Sequence, residues 1–453
     1  MNNQTELPNI LFLVFDSFRA DKFFGENKTS VTPNLDSLIK NGTYFKQAVS
    51  TADGTFLTMS SVFNGLYPFV TGVRSNEIIL TKNNFLEVFK KSGYNIYGCI
   101  PDIIPLSAIK DYFKNDDSTF KVLPLMEKES FAKICPKIIE SFESKKIVKP
   151  WFYYYHIQDL HFPRIVTKNF EDSKFGNTNY DKVVSSIDFW LGKFLEKIDM
   201  TKTIVIITAD HGTHDIPHDG KNSAFFEPEF KTTLNVGKKL LPKSSQKIGA
   251  KIIINLRNKI RDKKLNKANE GLTPYQIRSR MPHTTLSIYD ESIKIPLLFI
   301  GNGIFKNKII SNQVSALDIF PTIIELISSK NNLHQIHGRS LVKLMKGETF
   351  DEEPLFLHTI PHEKITNEDK IGLRTSKFKY FRTIENTKTF FLYDLESDPN
   401  ENNNIASDNP KIVGEMESEL QKLLQNKKLE IEINESKNDK EKTEEQLKKM
   451  GYI

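Results

Sequence analysis

Residues 203–218 read TIVIITADHGTHDIPH. The branched run up to Ala209 has the composition of a buried strand. Asp210, His211 and Gly212 follow it directly. A carboxylate and an imidazole at the carboxyl end of a buried strand stand where open α/β sheets bind their ligands. The pair suits a divalent cation, and the glycine lets the chain turn away at once. The same residues would also serve a plainer purpose, Asp210 capping a helix and His211 lying on the surface. Partners at other strand ends are needed to decide between the two.

Ile10–Phe15, ILFLVF, is a second apolar run, and Asp16 follows it. Thr32-Pro33 opens a helix, with Thr32 as N-cap, Leu35 and Leu38 starting its apolar face and Gly42 ending it. Gly54-Thr55 turns into a further helix over Phe56–Phe63, stopped at Asn64-Gly65. A hydroxyl at a helix N-terminus can cap the helix, sit beside a bound anion, or act as a nucleophile once a metal lowers its pKa. Trp151–Tyr155 is an aromatic strand, followed by His156, Asp159 and His161. Tyr180–Leu195 is an amphipathic helix leading into the 203–209 strand.

Composition narrows the class. A chain of 453 residues with 38% hydrophobic and 26% charged content holds a packed core and room for a second, smaller unit. The net charge of +6, from 63 basic and 57 acidic residues, is too dilute to argue for nucleic acid. Cys99 and Cys135, the two cysteines, read as buried free thiols rather than a disulfide or zinc framework. No signal-like core follows the N-terminus, and no run approaches the ~20 apolar residues of a membrane span. A cytoplasmic protein is expected.

PNILFLVFDSFRAD, TPNLDSLIKNGTYF, GLYP (65–68) and ADHG (209–212) together resemble the sulfatase family of the alkaline phosphatase superfamily. So do the H-x-x-D-x-H-x-P pattern of 156–163, LSIYDES (286–292), QVSALDIFPT (313–322) and HGRSL (337–341). The resemblance runs through nearly the whole chain. In most sulfatases a Cys or Ser opens a C/S-x-P-x-R segment and becomes formylglycine. The position here is Thr55, and the segment reads Thr55-Phe56-Leu57-Thr58-Met59, without the Pro or the Arg. A Thr cannot become formylglycine. An unmodified Thr resembles the nucleotide pyrophosphatase/phosphodiesterases, lipoteichoic acid synthases and phosphoethanolamine transferases.

The resemblance implies a mostly parallel central sheet between helices, alkaline phosphatase-like, over residues 1–369. Residues 222–282, with their basic amphipathic stretch Lys247–Lys267, read as a helical insertion. A smaller antiparallel C-terminal sheet spans 370–430, and 431–453 is a charged helical tail. Asp16, Thr55, Asp210 and His211 are expected to converge on a divalent cation (Mn, Zn, Mg or Ca), with one or two ions bound. Thr55 would be the nucleophile, with His161 and His283 assisting on the anion and leaving group, and His156 and His218 weaker candidates. The implied substrate is an anionic ester, glycan- or lipid-linked, phosphoric favoured over sulfuric, hydrolysed or transferred. A formylglycine-independent sulfatase and a non-catalytic metal- or anion-binding protein are the alternatives.

Overall fold

Strands form where branched and aromatic residues cluster. They are β1 (Asn9–Phe15), β2 (Gly42–Val49), β3 (Asn95–Pro101), β4 (Thr119–Phe120), β5 (Trp151–Ile157), β6 (Thr203–Ala209), β7 (Lys294–Ile295), β8 (Leu297–Gly301) and β9 (Lys308–Ser315) in one sheet, and β10 (Leu355–His358), β11 (Lys370–Arg374), β12 (Phe378–Thr383) and β13 (Phe390–Asp394) in another. This computed structural model describes residues 6–26, 28–74, 77–122, 129–214, 267, 269–279, 287–327, 336–349, 351–359, 369–426, 432–433 and 442. His218, His283, most of the 222–282 segment and most of the tail lie outside the described residues.

The first sheet runs β4-β3-β5-β1-β6-β8-β2-β7, with β9 on β2. Its pairings from β4 across to β6 are parallel, while β8 lies antiparallel to both β6 and β2. β1, β5 and β6 are buried along their whole length, as helices on both faces of a sheet require. The mixed, mostly parallel α/β sheet is the expected one. The second sheet, β10-β11-β12-β13, is antiparallel throughout. It takes its first strand from Leu355, ahead of residue 370, and packs Leu373, Tyr380 and Leu392 against Met416 and Leu420 of the helix Pro410–Asn426.

Helix Pro33–Lys40 begins as expected, but Thr32 does not cap it with its side chain. Its hydroxyl accepts from Lys28 Nζ (2.8 Å), and Asp188 of helix Asn179–Leu195 takes the N–H groups of Asn34 and Leu35 instead. Cys99 and Cys135 are buried free thiols. Residues 214–285 form a compact unit of their own, where Thr273 and Gln276 make a reciprocal capping box for helix Pro274–Arg278. No helix among the described residues is long and apolar enough to cross a membrane.

Candidate active site

Register brings the site together. β1 lies between β5 and β6, with Phe15 opposite Ile157 on one side and Ala209 on the other. Asp16 and Asp210, each one residue past its strand, therefore sit side by side. Asp16 N–H still donates to Ile157 O (2.8 Å), which keeps it at the level of β5. β5 runs to Ile157, two residues beyond the expected end, so His156 lies inside the strand rather than after it. Val14 is its partner, and side chains alternate, so His156 shares a face with Tyr154, Phe12 and Asp16.

Helix Thr55–Asn64, buried along its length, carries Thr55 to the same place. Gly54, extended, is the N-cap and Thr55 the first helical residue, so its hydroxyl is not consumed in capping. Thr55 Oγ donates to Asp210 Oδ2 (2.7 Å) and stands 3.5 Å from His211 Nε2. His211 Nδ1 lies 2.7 Å from the Gly212 carbonyl, which only accepts; Nδ1 therefore carries a hydrogen and Nε2 faces inward. That Nε2 is 3.7 Å from both Asp16 Oδ1 and Asp210 Oδ2. Gly212 is needed for space: a Cβ there would meet Glu291 O at 2.2 Å, and Gly212 N–H donates to Ser292 O (2.7 Å).

Ser17 had no signal in the sequence. Its backbone is left-handed (φ 65°), uncommon for a residue with a Cβ, and Tyr180 holds it there by donating to Ser17 O (2.9 Å). In this shape Ser17 N–H donates to Asp210 Oδ1 (3.2 Å) and Ser17 Oγ to Asp16 Oδ1 (2.8 Å). One residue thus bridges both carboxylates. Asp159, by contrast, turns away from the site and caps helix Phe131–Glu143, both its oxygens accepting from Phe131 N–H.

Burial would raise the Asp16 carboxyl, but the imidazoles of His161, His156 and His211 outweigh it and hold its pKa far below the usual range. His161 is thus among the groups whose charge bears on Asp16, and its Nδ1 lies 2.8 Å from the Phe162 carbonyl. Asp210 moves the other way, raised by burial and by the charge of Asp16 despite His211. Burial would lower His211, yet Asp210 and Asp16 raise it.

Asp16 Oδ2 and His156 Nε2 are buried without a hydrogen-bond partner. They lie 3.6 Å apart, and His156 Nε2 is 3.8 Å from Asp210 Oδ2. One ligand atom each from Asp16, His156 and Asp210 falls within 4.8 Å of the others, the spread of donors around a single cation. Two unsatisfied buried polar atoms of this kind are costly without an occupant. Two carboxylates and one imidazole fit a divalent cation of the Mn, Zn or Mg type. Of the four expected ligands, Asp16 and Asp210 belong to this group, Thr55 and His211 adjoin it, and His156 is the third member.

The family profile described as "Sulfatase" matches residues 8–329, and the profile "N-sulphoglucosamine sulphohydrolase, C-terminal" matches 285–429. Arylsulfatase K from Homo sapiens is 31% identical over 160 residues, covering 33% of this chain and 29% of the relative. The chain thus aligns to less than a third of that relative's length. Among solved structures, a 2-O GAG sulfatase superposes with TM-score 0.63 at 18% identity, covering 97% of this chain and 96% of that one. The phosphonate monoester hydrolase of Agrobacterium radiobacter gives TM-score 0.63 at 14% identity, covering 93% and 96%. At these identities both report on the fold.

Proposed function

The chain belongs to the sulfatase family, and from that premise we propose that it is a metal-dependent hydrolase of sulfate esters on glycans, with unmodified Thr55 as its nucleophile. The observation that carries the reading is the Thr55 hydroxyl, 2.7 Å from Asp210 at the mouth of the Asp16–His156–Asp210 group. The ester class follows the family and the relatives' names, and the glycan follows the GAG sulfatase among the structural neighbours.

Asp16, His156 and Asp210 would hold the cation, which when bound would favour the Thr55 alkoxide and offset charge on the transferred group. Asp210 accepts the Thr55 proton and aims the remaining lone pairs of Oγ away from the carboxylate. Thr55 Oγ attacks sulfur in line; the new O–S bond forms as the S–O bond to the sugar breaks. The leaving oxygen takes a proton from an imidazole, for which His161 and His211 are the described candidates and His283 an undescribed one. Water then attacks the sulfur of the Thr55 sulfate monoester: the O–S bond to Thr55 breaks, Asp210 returns its proton to the Thr55 oxygen, the imidazole takes the proton that the water loses, and hydrogensulfate leaves.

Phosphonate or phosphate esters are the second reading. It is favoured by Thr55 itself and by Leu57 and Met59 where the formylglycine segment has Pro and Arg. The test presents aryl sulfate, aryl phosphonate monoester and aryl phosphate diester to protein loaded in turn with Mn²⁺, Zn²⁺, Mg²⁺ and Ca²⁺. Aryl sulfate turnover reduced by about 10³-fold or more in Thr55→Ala is the expected result. Turnover that survives in Thr55→Ala would remove the nucleophile. Phosphoester turnover without sulfate turnover would install the second reading.

A further inference from the structure

We propose that Tyr154 is the positioning residue of the cation site, its phenol oxygen accepting the Nδ1 hydrogen of His156 so that the Nε2 lone pair faces Asp16 and Asp210. The inference rests on the metal reading above.

Tyr154 Oη and His156 Nδ1 are 2.7 Å apart, and both side chains are buried. The two residues alternate along β5 on one face, so the phenol lies directly behind the imidazole. Its ring is held by Phe12 (centroids 5.6 Å) and edge-on by Phe63 (5.4 Å). Phe12 belongs to the strand that leads into Asp16, and Phe63 to the helix that begins at Thr55. The ring that orients His156 is therefore fixed by the two elements that deliver the other parts of the site.

A phenol differs here from the carbonyl or carboxylate that more often backs a ligating imidazole, because it both donates and accepts. With the site empty, Nε2 faces carboxylate oxygens at 3.6 and 3.8 Å, and a hydrogen on Nε2 is favoured. Tyr154 O–H then donates to Nδ1. With a cation present Nε2 must offer its lone pair, the hydrogen resides on Nδ1, and the phenol oxygen accepts it.

Tyr154→Phe keeps the ring and removes the oxygen. Isothermal titration of wild type and Tyr154→Phe with Mn²⁺ and Mg²⁺ is expected to show affinity weakened by about 10- to 100-fold. Unfolding in chelator reports whether the variant still folds. If it does not, ¹⁵N-histidine spectra of the wild type decide: His156 is expected to carry its hydrogen on Nε2 in chelator and on Nδ1 with Mg²⁺. Equal affinities in a folded variant, or a hydrogen on Nε2 in the loaded protein, would overturn the role of Tyr154 alone. A wild type that takes up neither cation would overturn the cation site itself and Tyr154's role with it.

Discussion

His358 ends β10 with both ring nitrogens buried and unpartnered, although the residue as a whole is only half-buried. Its backbone N–H donates to Thr51 O (3.0 Å), four residues ahead of Thr55. Burial, with the neighbouring Arg74 guanidinium, pushes its pKa down to about 4. Between about pH 6.5 and 4 the unfolded chain binds a proton that folded His358 refuses. Its contribution is thus fully present above that window and lost as pH falls through it, by at most about 3 kcal/mol. His358→Leu is expected to flatten this slope and to be neutral or stabilising at pH 5, since it also removes two unsatisfied nitrogens. Urea melts at pH 4.5, 5.5 and 6.5 would show it, and an unchanged slope would mean that the ring is solvated. Asp16, Thr55, Asp210 and His211 were legible in the sequence because each follows a strand or a turn. His156 is the weaker candidate in the sequence, which places it after the strand at Tyr155, whereas the structure continues the strand through it. Ser17 was invisible, since a left-handed φ leaves no mark on residue type.

The helix that presents Thr55 depends on its far end. Gly65 is left-handed (φ 66°), and Leu66 N–H returns to Ser61 O (3.2 Å) to close the last turn. A Cβ at Gly65 would stand 3.2 Å from both Ile336 Cγ2 and Phe320 Cδ1. Gly65→Ala combines a disfavoured φ with this crowding and is expected to cost about 1–2 kcal/mol, read from urea unfolding. A loss below about 0.5 kcal/mol would mean that the neighbours yield freely. The sequence located this helix at 56–63, one residue short at each end. The start shifted because Asp210, a long-range partner, draws the Thr55 hydroxyl away from a cap, and composition cannot register such a partner. The same limit applies to β5, whose last two residues are held by pairing with β1.

At the scale of the whole molecule, the mostly parallel sheet is legible through the family resemblance of successive segments, LSIYDES among them, while the junction that LSIYDES builds shows only in the structure. Asp290 receives Arg374 in a two-pronged pair (Nε–Oδ1 3.0 Å, Nη2–Oδ2 2.8 Å) and Lys379 on Oδ1. Lys379 also meets Glu401 (2.8 Å), whose other oxygen accepts from Asp290 N–H (2.7 Å). Arg374 reaches on to Gln313 of β9 and Gln47 of β2. This group thus ties β11 and β12 of the C-terminal sheet to Asp290 at the start of helix Asp290–Ile293 and, through Gln313 and Gln47, to β9 and β2 of the central sheet. Burial would raise the Asp290 carboxyl, yet Arg374 and Lys379 hold it well below the usual range. Asp290→Ala leaves Arg374 and Lys379, 1% and 0% exposed at their side chains, without the carboxylate they share. Removing one partner from a buried ion pair costs about 3–5 kcal/mol, so the variant is expected to lose that much stability in urea. Because the cluster joins two sheets, the C-terminal one should also become the first to open, seen as early proteolytic cleavage after residue 355. An uncharged replacement of the whole cluster should recover much of the loss, since apolar groups of similar volume often match a buried pair. If Asp290→Ala instead unfolded within 1 kcal/mol of wild type, packing alone would be joining the sheets, and the charges would serve only to set their register.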